Sequence, residues 1–349
     1  MKYTNSNTVR AIYTEPDDNP YLAALPELMS KDIFLQRLQS LPAVPPDLLS
    51  LGGEERRRLL SGLVNLFLPL DYMYTIYDLF YRAIQTTYHT KTVLDSIRQI
   101  GVVRQSGQTS FGTQAQSGSI LGIPGVGKTS TVRRCLAQLP QVIEHREFRG
   151  QPFFKKQVLY ICVECPSDCS VKTLAYNIIA AVDRAIGSDY FRVISHQSRI
   201  SASALTTQLK IICLNHAIGL IVVDEIQNAI STAEKTRRIK PLVTFLLELL
   251  NDTCTGVYFV GTLEADEVFG QHEHLKRRTR GLRLLPFRPD GIYRRFLETV
   301  WKYQFTLHPS KLTDQIVNKI YDHSGGVPAY IIQIITEAQA QAIIGGEDL

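Results

Sequence analysis

Residues 122–129 read Gly-Ile-Pro-Gly-Val-Gly-Lys-Thr and fit the pattern G-x-x-x-x-G-K-[ST] at every fixed position. In this pattern, backbone N–H groups and the N-terminus of the following helix surround phosphate oxygens. Lys128 would reach the β- and γ-phosphates of a nucleotide, and the Thr129 hydroxyl would bind Mg²⁺. An apolar run before the loop and a helical pattern after it, Thr129–Leu139, argue against a glycine-rich turn with a chance lysine. The pattern therefore predicts a site for ATP and Mg²⁺, made by Gly122, Pro124, Gly125, Val126, Gly127, Lys128, Thr129 and Ser130.

Two adjacent carboxylates follow a second apolar run, since residues 219–225 read Gly-Leu-Ile-Val-Val-Asp-Glu. A continuous apolar run of this length is typical of a strand that is buried on both faces of a parallel sheet. The carboxyl end of such a strand should emerge beside the phosphate loop, where open α/β sheets bind ligands. Asp224 would hold Mg²⁺ through water, and Glu225 would polarise an attacking water as a general base. The alternative is an Asp-Glu pair that only ends a strand.

A polar residue also ends the next predicted strand, where Thr262 follows Gly256–Gly261. ATPases of the AAA+ class place a polar residue here, called sensor 1, that orients the attacking water. A hydroxyl suits this role because it can both donate and accept a hydrogen bond. Thr262 is the candidate, and the alternative is an ordinary helix N-cap.

Further along the chain, residues 276–288 form a basic run that contains no acidic residue. AAA+ proteins place an arginine here that reaches the γ-phosphate of the neighbouring subunit, and a guanidinium group suits a transferring phosphoryl group. Arg278 is the first candidate for this arginine finger, followed by Arg277 and Arg280. The alternatives are a solvated basic face or a face that contacts DNA phosphates. The whole run consists of Lys276, Arg277, Arg278, Arg280, Arg283 and Arg288.

The elements that must position these residues divide the chain into three predicted segments. Residues 1–115 form a helical N-terminal interaction region, 116–287 an ATPase core of alternating strands and helices, and 288–349 a helical lid. The predicted fold class is α/β, a AAA+ P-loop NTPase with a parallel sheet. The individual predictions are helices at Glu54–Leu66, Asp71–Thr87, Thr92–Ile100, Ser170–Ile186, Ser201–Ala217, Lys240–Leu250, Gly291–Lys302, Thr313–His323 and Pro328–Ile343, strands at Ser119–Leu121 and Val158–Val163, and a polar loop at Arg104–Ser117.

The composition favours a soluble cytoplasmic protein. The chain has 349 residues, of which 44% are hydrophobic, and its net charge is only +5, so any contact with nucleic acid must come from local patches. No apolar stretch of about 18 residues predicts a membrane span, and the polar N-terminus does not resemble a signal peptide. Cys162, Cys165 and Cys169 lack a fourth ligand at a typical zinc spacing, so reduced thiols are favoured over a metal site.

Several stretches are similar to the TnsC/TniB family, the AAA+ regulators of DNA transposition. The N-terminal sequence Asn19-Pro20-Tyr21-Leu22-Ala23-Ala24-Leu25-Pro26 resembles the short motif that opens TnsC proteins. The stretch from Gly122 to Leu174 resembles the core signature of the family, in particular at 140–143 and 164–172. Asp224-Glu225-Ile226-Gln227 continues the match, and the resemblance covers roughly residues 19–340.

The resemblance implies a bacterial, ATP-dependent switch. Proteins of this family bind ATP and assemble as rings or filaments on duplex DNA without sequence preference. They link a target selector of the TniQ/TnsD type to the transposase. A finger supplied by the neighbouring subunit makes hydrolysis depend on assembly, and slow hydrolysis is expected. The chain departs from many AAA+ lids at Ser324–Tyr330, which contains no sensor 2 arginine; its Gly-Gly-x-Pro sequence resembles the lids of STAND ATPases.

DNA contacts are expected on the helices that follow the second strand of the core. Lysine and arginine contact phosphates without reading sequence. The candidates are Lys172, Arg184, Arg199 and Ser201, and the alternatives are surface residues and, for Ser201, a helix N-cap. A different functional class, another AAA+ or STAND ATPase such as a helicase loader or a signalling hub, also fits the motifs.

Overall fold

The computed structural model describes residues 7–14, 17–107, 115–168, 170–197, 200–229, 236–270 and 277–346. The chain forms two compact units, each built from separate stretches. The first comprises Met1–Met29, Thr75–Leu121 and Thr129–Arg283, and the second comprises Ser30–Tyr74, Gly122–Lys128 and Leu284–Leu349. The three consecutive segments of the sequence analysis stay a prediction.

A five-stranded sheet forms the centre of the first unit. Its order is β5-β6-β7-β2-β8, and β5, β6, β7 and β2 pair in parallel. Every residue of β6 and β7 is buried, as the two continuous apolar runs predict. The strands are β2 (Ser117–Gly122), β5 (Tyr160–Glu164), β6 (Leu220–Asp224), β7 (Gly256–Gly261) and β8 (Leu282–Leu284).

Helices cover this sheet and bury their apolar faces against it. Ile178 and Val182, Leu205 and Leu209, and Leu246 and Leu250 come from three helices and join one core with strand residues such as Ile221 and Val257. The helices of this unit that follow the phosphate motif are α6 (Lys128–Leu136), α7 (Val171–Ile186), α8 (Tyr190–Ser195), α9 (Ala202–Asn215), α10 (Thr236–Thr253) and α11 (Glu264–Gly270).

A smaller sheet, β1-β3-β4, was not predicted. It consists of β1 (Thr8–Arg10), β3 (Val142–Phe148) and β4 (Gln151–Val158). The predicted strand Val158–Val163 is wrong in its bounds, because Val158 ends β4 and a new strand begins at Tyr160. Arg149 and Gly150 form the β3–β4 turn with φ values of 52° and 76°, the left-handed backbone that a tight hairpin requires.

Two helices precede the phosphate motif, and a residue between them contacts the amino-terminal ends of β6 and β7 in the large sheet. They are α4 (Asp71–Thr90) and α5 (Val93–Ser106), joined by the fully buried Lys91. The Lys91 ammonium group donates to the Ile218 carbonyl at 2.8 Å and to the Thr255 hydroxyl at 3.0 Å. Asn19 caps the short helix α1 (Pro20–Ala23), and its side-chain amide donates to the Tyr88 carbonyl at 2.6 Å.

The second unit has its own helical core. Tyr293, Leu297, Val300 and Ile331 pack together with apolar residues of the neighbouring helices. The buried Arg56 donates to the Phe305 carbonyl at 3.1 Å and so joins an early helix to the last third of the chain. The helices are α2 (Lys31–Leu38), α3 (Gly53–Leu59), α12 (Gly291–Val300), α13 (Asp314–Ser324) and α14 (Pro328–Ile344).

Two predicted boundaries are wrong for local reasons. The predicted helix Glu54–Leu66 is α-helical only to Leu59, and a 3₁₀ helix (Leu60–Asn65) with a glycine inside it follows. The predicted loop at Arg104–Ser117 begins too early, because α5 continues to Ser106 and ends at Gly107, whose φ of 71° is a typical C-cap. Within the described ranges, no helix has the length and apolar content that a membrane span needs.

Candidate nucleotide-binding site

The phosphate loop lies within the second unit and has the backbone shape that its glycines permit. Gly125 and Gly127 have φ values of 82° and 90°, in a region that side chains other than hydrogen disfavour. The Lys128 ammonium group folds back over the loop and donates to the carbonyls of Gly122 at 2.8 Å and Ile123 at 3.0 Å. A lysine held at this point is placed to exchange carbonyl oxygens for phosphate oxygens.

The start of α14 contacts the same loop through backbone groups. The Ala329 N–H donates to the Gly125 carbonyl at 3.2 Å. A Cβ atom on Gly125 would lie only 2.8 Å from a methyl group of Val327, so this approach requires glycine. The Gly-Gly-x-Pro segment that lacks a sensor 2 arginine therefore contacts the loop directly, without any charged side chain.

A cavity of about 770 Å³ opens beside the phosphate loop in the same unit. Val126 of the loop and Pro328 at the start of α14 line one part of it. The remaining wall contains both apolar and charged side chains. It includes Leu68, Leu70, Tyr72, Phe287, Ile292 and Phe296, with Asp71, Arg288, Asp290 and Arg295.

Asp224, in the first unit, is the buried carboxylate at the end of β6. Its side chain is 1% exposed, and its Oδ1 accepts the backbone N–H of Glu225 at 2.9 Å. The other oxygen, Oδ2, is buried and has no hydrogen-bond partner among the described residues. Burial raises the pKa of the Asp224 carboxyl, and the Glu225 N–H and the nearby Thr129 hydroxyl partly offset this effect. A buried oxygen without a partner is costly unless a ligand satisfies it.

Glu225 follows in an unusual backbone conformation. Its φ of 56° lies in the left-handed region, which is uncommon for a residue with a side chain. Its carboxylate accepts a hydrogen bond from the side-chain amide of Gln227. The carbonyl oxygen of that same amide accepts the backbone N–H of Thr262 at 3.1 Å. Gln227 thus joins the predicted general base to the end of β7.

Thr262 lies at the position predicted for sensor 1. Its hydroxyl donates to the exposed Glu264 carboxylate at 3.2 Å, and its carbonyl accepts the N–H of Ala265 at 3.2 Å. In the first unit, Gln227 therefore links Glu225 to Thr262, and the Thr129 hydroxyl lies near Asp224. Residues Gly122–Lys128 form the loop of the second unit. The sensor role and the capping alternative for Thr262 both stay predictions.

The basic run presents different environments for its arginines. Arg278 is half-buried and donates to the side-chain carbonyl of Asn251 at 2.6 Å. Arg277 and Arg280 are exposed, and Arg283 pairs with Asp266 at 2.5 Å. Lys276 lies outside the described residues. The first candidate for the finger is therefore bonded within its own chain, while the next two are accessible.

The DNA candidates lie on or beside two helices of the first unit. Ser201 is the N-cap of α9, since its hydroxyl accepts the Ala204 N–H at 3.1 Å. On α7, Lys172 is half-buried in the first turn and Arg184 is exposed in the last. Arg199 lies outside the described residues. The structure thus shows the capping bond at Ser201, and the DNA contacts stay predictions.

The two described cysteines near the site lie on strand β5 and directly after it. Cys162 lies on β5, and burial raises the pKa of its thiol to about 12, with the nearby Asp224 adding to the effect. Cys165 is buried just after this strand, and Cys169 lies outside the described residues. Among the described residues, no group of three or more His, Cys, Asp or Glu side chains is placed to hold a metal ion.

Gln227 has no predicted function of its own and is named above only as part of the Asp-Glu-Ile-Gln resemblance. One signal in the sequence could have identified Gln227: its amide comes two residues after a carboxylate, close to the end of a predicted buried strand. Its partner Thr262, directly after β7, is brought near by the pairing of β6 with β7, which a single sequence does not show.

Comparisons with known proteins support the predicted fold. Residues 112–269 match a family model described as an AAA domain. No curated protein matches the chain in sequence. Two Aeropyrum pernix structures are similar. The ORC1 protein in complex with DNA has 17% identity and a TM-score of 0.42, covering 71% of this chain and 59% of that one. The ORC2 protein in its ADP form has 16% identity and a TM-score of 0.44, covering 74% of this chain and 65% of that one.

Cdc6p from Pyrobaculum aerophilum is similar at 14% identity and a TM-score of 0.40, covering 73% of this chain and 62% of that one. The chain thus spans less than two thirds of the length of these three structures. Such low identities and TM-scores carry no argument about ligands or partners. Residues 112–269 match the AAA domain, and the chain has the α/β fold of a AAA+ P-loop NTPase, as predicted.

Proposed function

We propose that this protein binds ATP with Mg²⁺ and hydrolyses it. The observation that carries this proposal is the buried Oδ2 of Asp224, which has no partner among the described residues and lies in a carboxylate near the Thr129 hydroxyl. An oxygen-only set of a carboxylate and a hydroxyl is the donor chemistry that Mg²⁺ prefers. When bound, Mg²⁺ would neutralise charge on the β- and γ-phosphates. Asp224 and Thr129 are the residues that would hold it.

The nucleotide itself has complementary groups in the second unit. Lys128 and the loop N–H groups would bind the phosphates. The Lys128 ammonium group donates to two backbone carbonyls, and phosphate oxygens can replace these carbonyls as acceptors. The adenosine half would enter the cavity that Val126 and Pro328 line. A cavity of about 770 Å³ with aromatic walls suits a purine base and leaves room for the ribose.

Hydrolysis would depend on Glu225 and on a neighbouring subunit. Glu225 would accept a proton from the attacking water, and Thr262 would orient that water. An arginine of the basic run, with Arg278, Arg277 and Arg280 as candidates, would reach the γ-phosphate of the adjacent subunit. Because the last component comes from another copy, hydrolysis would be slow in the free protein and faster in an assembly.

The biological role we propose is the regulation of DNA transposition. The protein would assemble as a ring or filament on duplex DNA, without sequence preference, and connect a TniQ/TnsD-type selector to the transposase. The support is the sequence similarity to the TnsC/TniB family over roughly residues 19–340, including Asn19–Pro26 and Glu164–Lys172. We place it in the bacterial cytoplasm on the same basis.

Electron microscopy of the purified protein with duplex DNA tests this role. Samples with ATP, a non-hydrolysable analogue and ADP would be compared by negative stain. We expect rings or filaments on DNA with ATP and with the analogue but not with ADP. Lys128→Ala serves as the negative control, because it removes the charge that binds the phosphates.

The alternative is another AAA+ or STAND ATPase, such as a helicase loader or a signalling hub. It would bind nucleotide normally but form no assembly on DNA under any of the three conditions. Partner-dependent ATPase activity without affinity for duplex DNA would therefore favour this alternative over the transposition role.

A further inference from the structure

We infer that Gln227 is a positioning residue that fixes the Glu225 carboxylate relative to the end of β7. The inference rests on the proposed role of Glu225 as general base and extends it to a second side chain. It is carried by one amide group that bonds on both sides: its nitrogen donates to Glu225, and its oxygen accepts from Thr262.

The two bonds also decide which way the amide points. The backbone N–H of Thr262 is a donor only, so the atom that faces it at 3.1 Å must be the amide oxygen. The amide nitrogen is then directed at Glu225, where it meets a carboxylate oxygen. A donor in this place holds the carboxylate in one orientation, and the second oxygen of Glu225 stays available for a water molecule.

The surrounding backbone is shaped to hold the amide in place. A Cβ atom on Gly261 would lie 2.5 Å from the Gln227 amide oxygen and 2.6 Å from the side chain of Ile226. Only glycine therefore allows the 3₁₀ turn at Ile226–Ala229 to pack this closely against the end of β7. Glu225, which precedes this turn, has a φ of 56° and so depends on its bonded neighbours to maintain its conformation.

Because general-base catalysis requires accurate placement, a loose carboxylate should slow the chemical step without weakening ATP binding. Two substitutions of Gln227 test the two hydrogen bonds of its amide separately. Gln227→Glu keeps an acceptor for the Thr262 N–H but removes the donor to Glu225. Gln227→Met has a similar length and removes both bonds. Gln208→Glu is the matched control, since Gln208 is exposed on α9 of the same unit and the change in charge is identical.

The experiment measures kcat and KM for ATP hydrolysis with Mg²⁺ and duplex DNA, together with the affinity for a fluorescent ATP analogue. We expect both Gln227 variants to lower kcat about 10- to 100-fold, with KM and affinity within about twofold of wild type. Gln208→Glu should match wild type. Thermal melting identifies any variant that fails to fold, and Gln227→Glu, which keeps the Thr262 bond, is the more conservative of the two.

A double-mutant cycle separates a positioning role from a structural one. If Gln227 acts through Glu225, adding either substitution to Glu225→Gln should cause no further loss of kcat. Independent, additive losses would overturn the inference, as would wild-type kcat or a higher kcat in both single variants. If Glu225→Gln itself hydrolyses ATP like wild type, the proposed function of Glu225 fails first, and the inference fails with it.

Discussion

The Oδ1 atom of Asp224 accepts the backbone N–H of Glu225 at 2.9 Å, and Glu225 adopts a φ of 56°. The bond ties the buried carboxylate to the backbone of the next residue, and a left-handed conformation at a residue with a side chain costs about 1–3 kcal/mol. Strain of this kind is found mainly where function requires a particular side-chain direction. Here the carboxylate of the strained residue Glu225 accepts a hydrogen bond from the Gln227 amide.

Replacement of Glu225 by glutamine should separate ATP binding from hydrolysis. Glutamine keeps the size of the side chain but cannot accept a proton, so we expect kcat to fall by about 100-fold or more. Affinity for ATP should stay near that of wild type, and assemblies on DNA should persist because ATP is not consumed. Phosphate release and a pelleting assay measure the two effects. Glu248→Gln, an exposed glutamate on α10, is the matched control, and an equal loss in both variants would contradict the prediction.

Replacement of Lys128 by alanine should abolish nucleotide binding. Lys128 is the only charged residue of the motif 122–129, and its loss would leave the loop without a cation for the phosphates. In wild type, ATP at about 100 times its Kd should stabilise the fold by about 2.7 kcal/mol, visible as a shift in melting temperature. Lys128→Ala should show no shift, while Lys319→Ala, at an exposed position on α13, should behave as wild type. A normal shift in Lys128→Ala would exclude the loop as the site.

The sequence predicted those features in which one local pattern determines one local structure. The strand Gly256–Gly261 was predicted with its observed bounds, because a run of apolar residues between turn residues allows few alternatives. The phosphate motif likewise fixed the order strand, loop and helix. Boundaries such as the end of α3 were missed because α and 3₁₀ helices share the same residue preferences over a single turn.

Features that depend on distant pairings were beyond the sequence analysis. The short strand β1 pairs with β3 more than 130 residues later, and its three residues are exposed, so no apolar pattern marks it. The bond between Gln227 and Thr262 depends on two neighbouring strands that are far apart in the chain. The bond between Arg278 and Asn251 also joins residues that are distant in the chain. It gives the first candidate for the arginine finger a partner within its own chain.

Replacement of Arg278 by alanine should reduce hydrolysis in assemblies about 1000-fold if its guanidinium stabilises the transferring phosphate. Asn251→Ala is the informative control, because it removes the intramolecular partner at 2.6 Å and leaves the arginine intact. A finger predicts full activity in Asn251→Ala, whereas a purely structural arginine predicts equal losses in both variants.

Mixing experiments identify the finger in trans. Subunits with Arg278→Ala retain Glu225, and subunits with Glu225→Gln retain Arg278, so a mixed assembly should recover part of the ATPase activity. If mixing restores nothing, the exposed Arg277 and Arg280 become the next variants to test in the same way.

DNA binding should be electrostatic, with the interface on α7. Each substitution that removes a charge paired with a DNA phosphate should reduce the slope of log K against log salt by about 0.9. Lys172→Ala and Arg184→Ala should therefore each weaken binding by a similar factor for all sequences, without a change in ATP affinity. Fluorescence anisotropy at several salt concentrations measures this slope. Arg192→Ala, at an exposed arginine paired with Asp189, is the control, and unchanged slopes in both α7 variants would remove this helix from the interface.

Lys91 should make stability depend on pH in the mildly alkaline range. Burial lowers the pKa of its ammonium group to about 8 from 10.5, so between these values the unfolded chain binds more protons than the folded one. The free energy of unfolding should therefore rise with pH across this window. Below the window, the contribution of Lys91 to this free energy should not depend on pH. From pH 8 to pH 9.5 the gain is roughly 1–2 kcal/mol.

Other buried groups act in the opposite direction, so the measurement must isolate Lys91. Burial raises the pKa of Cys213 to about 12, and a thiol that stays protonated in the folded state lowers stability as pH rises above 9. Urea unfolding of wild type and Lys91→Met at each pH cancels contributions that the two proteins share. We expect the difference in unfolding free energy, wild type minus variant, to increase with pH. A difference that stays constant would show that the Lys91 ammonium remains charged to the same extent in both states. Its bonds to the Ile218 carbonyl and the Thr255 hydroxyl would then be sufficient to offset its burial.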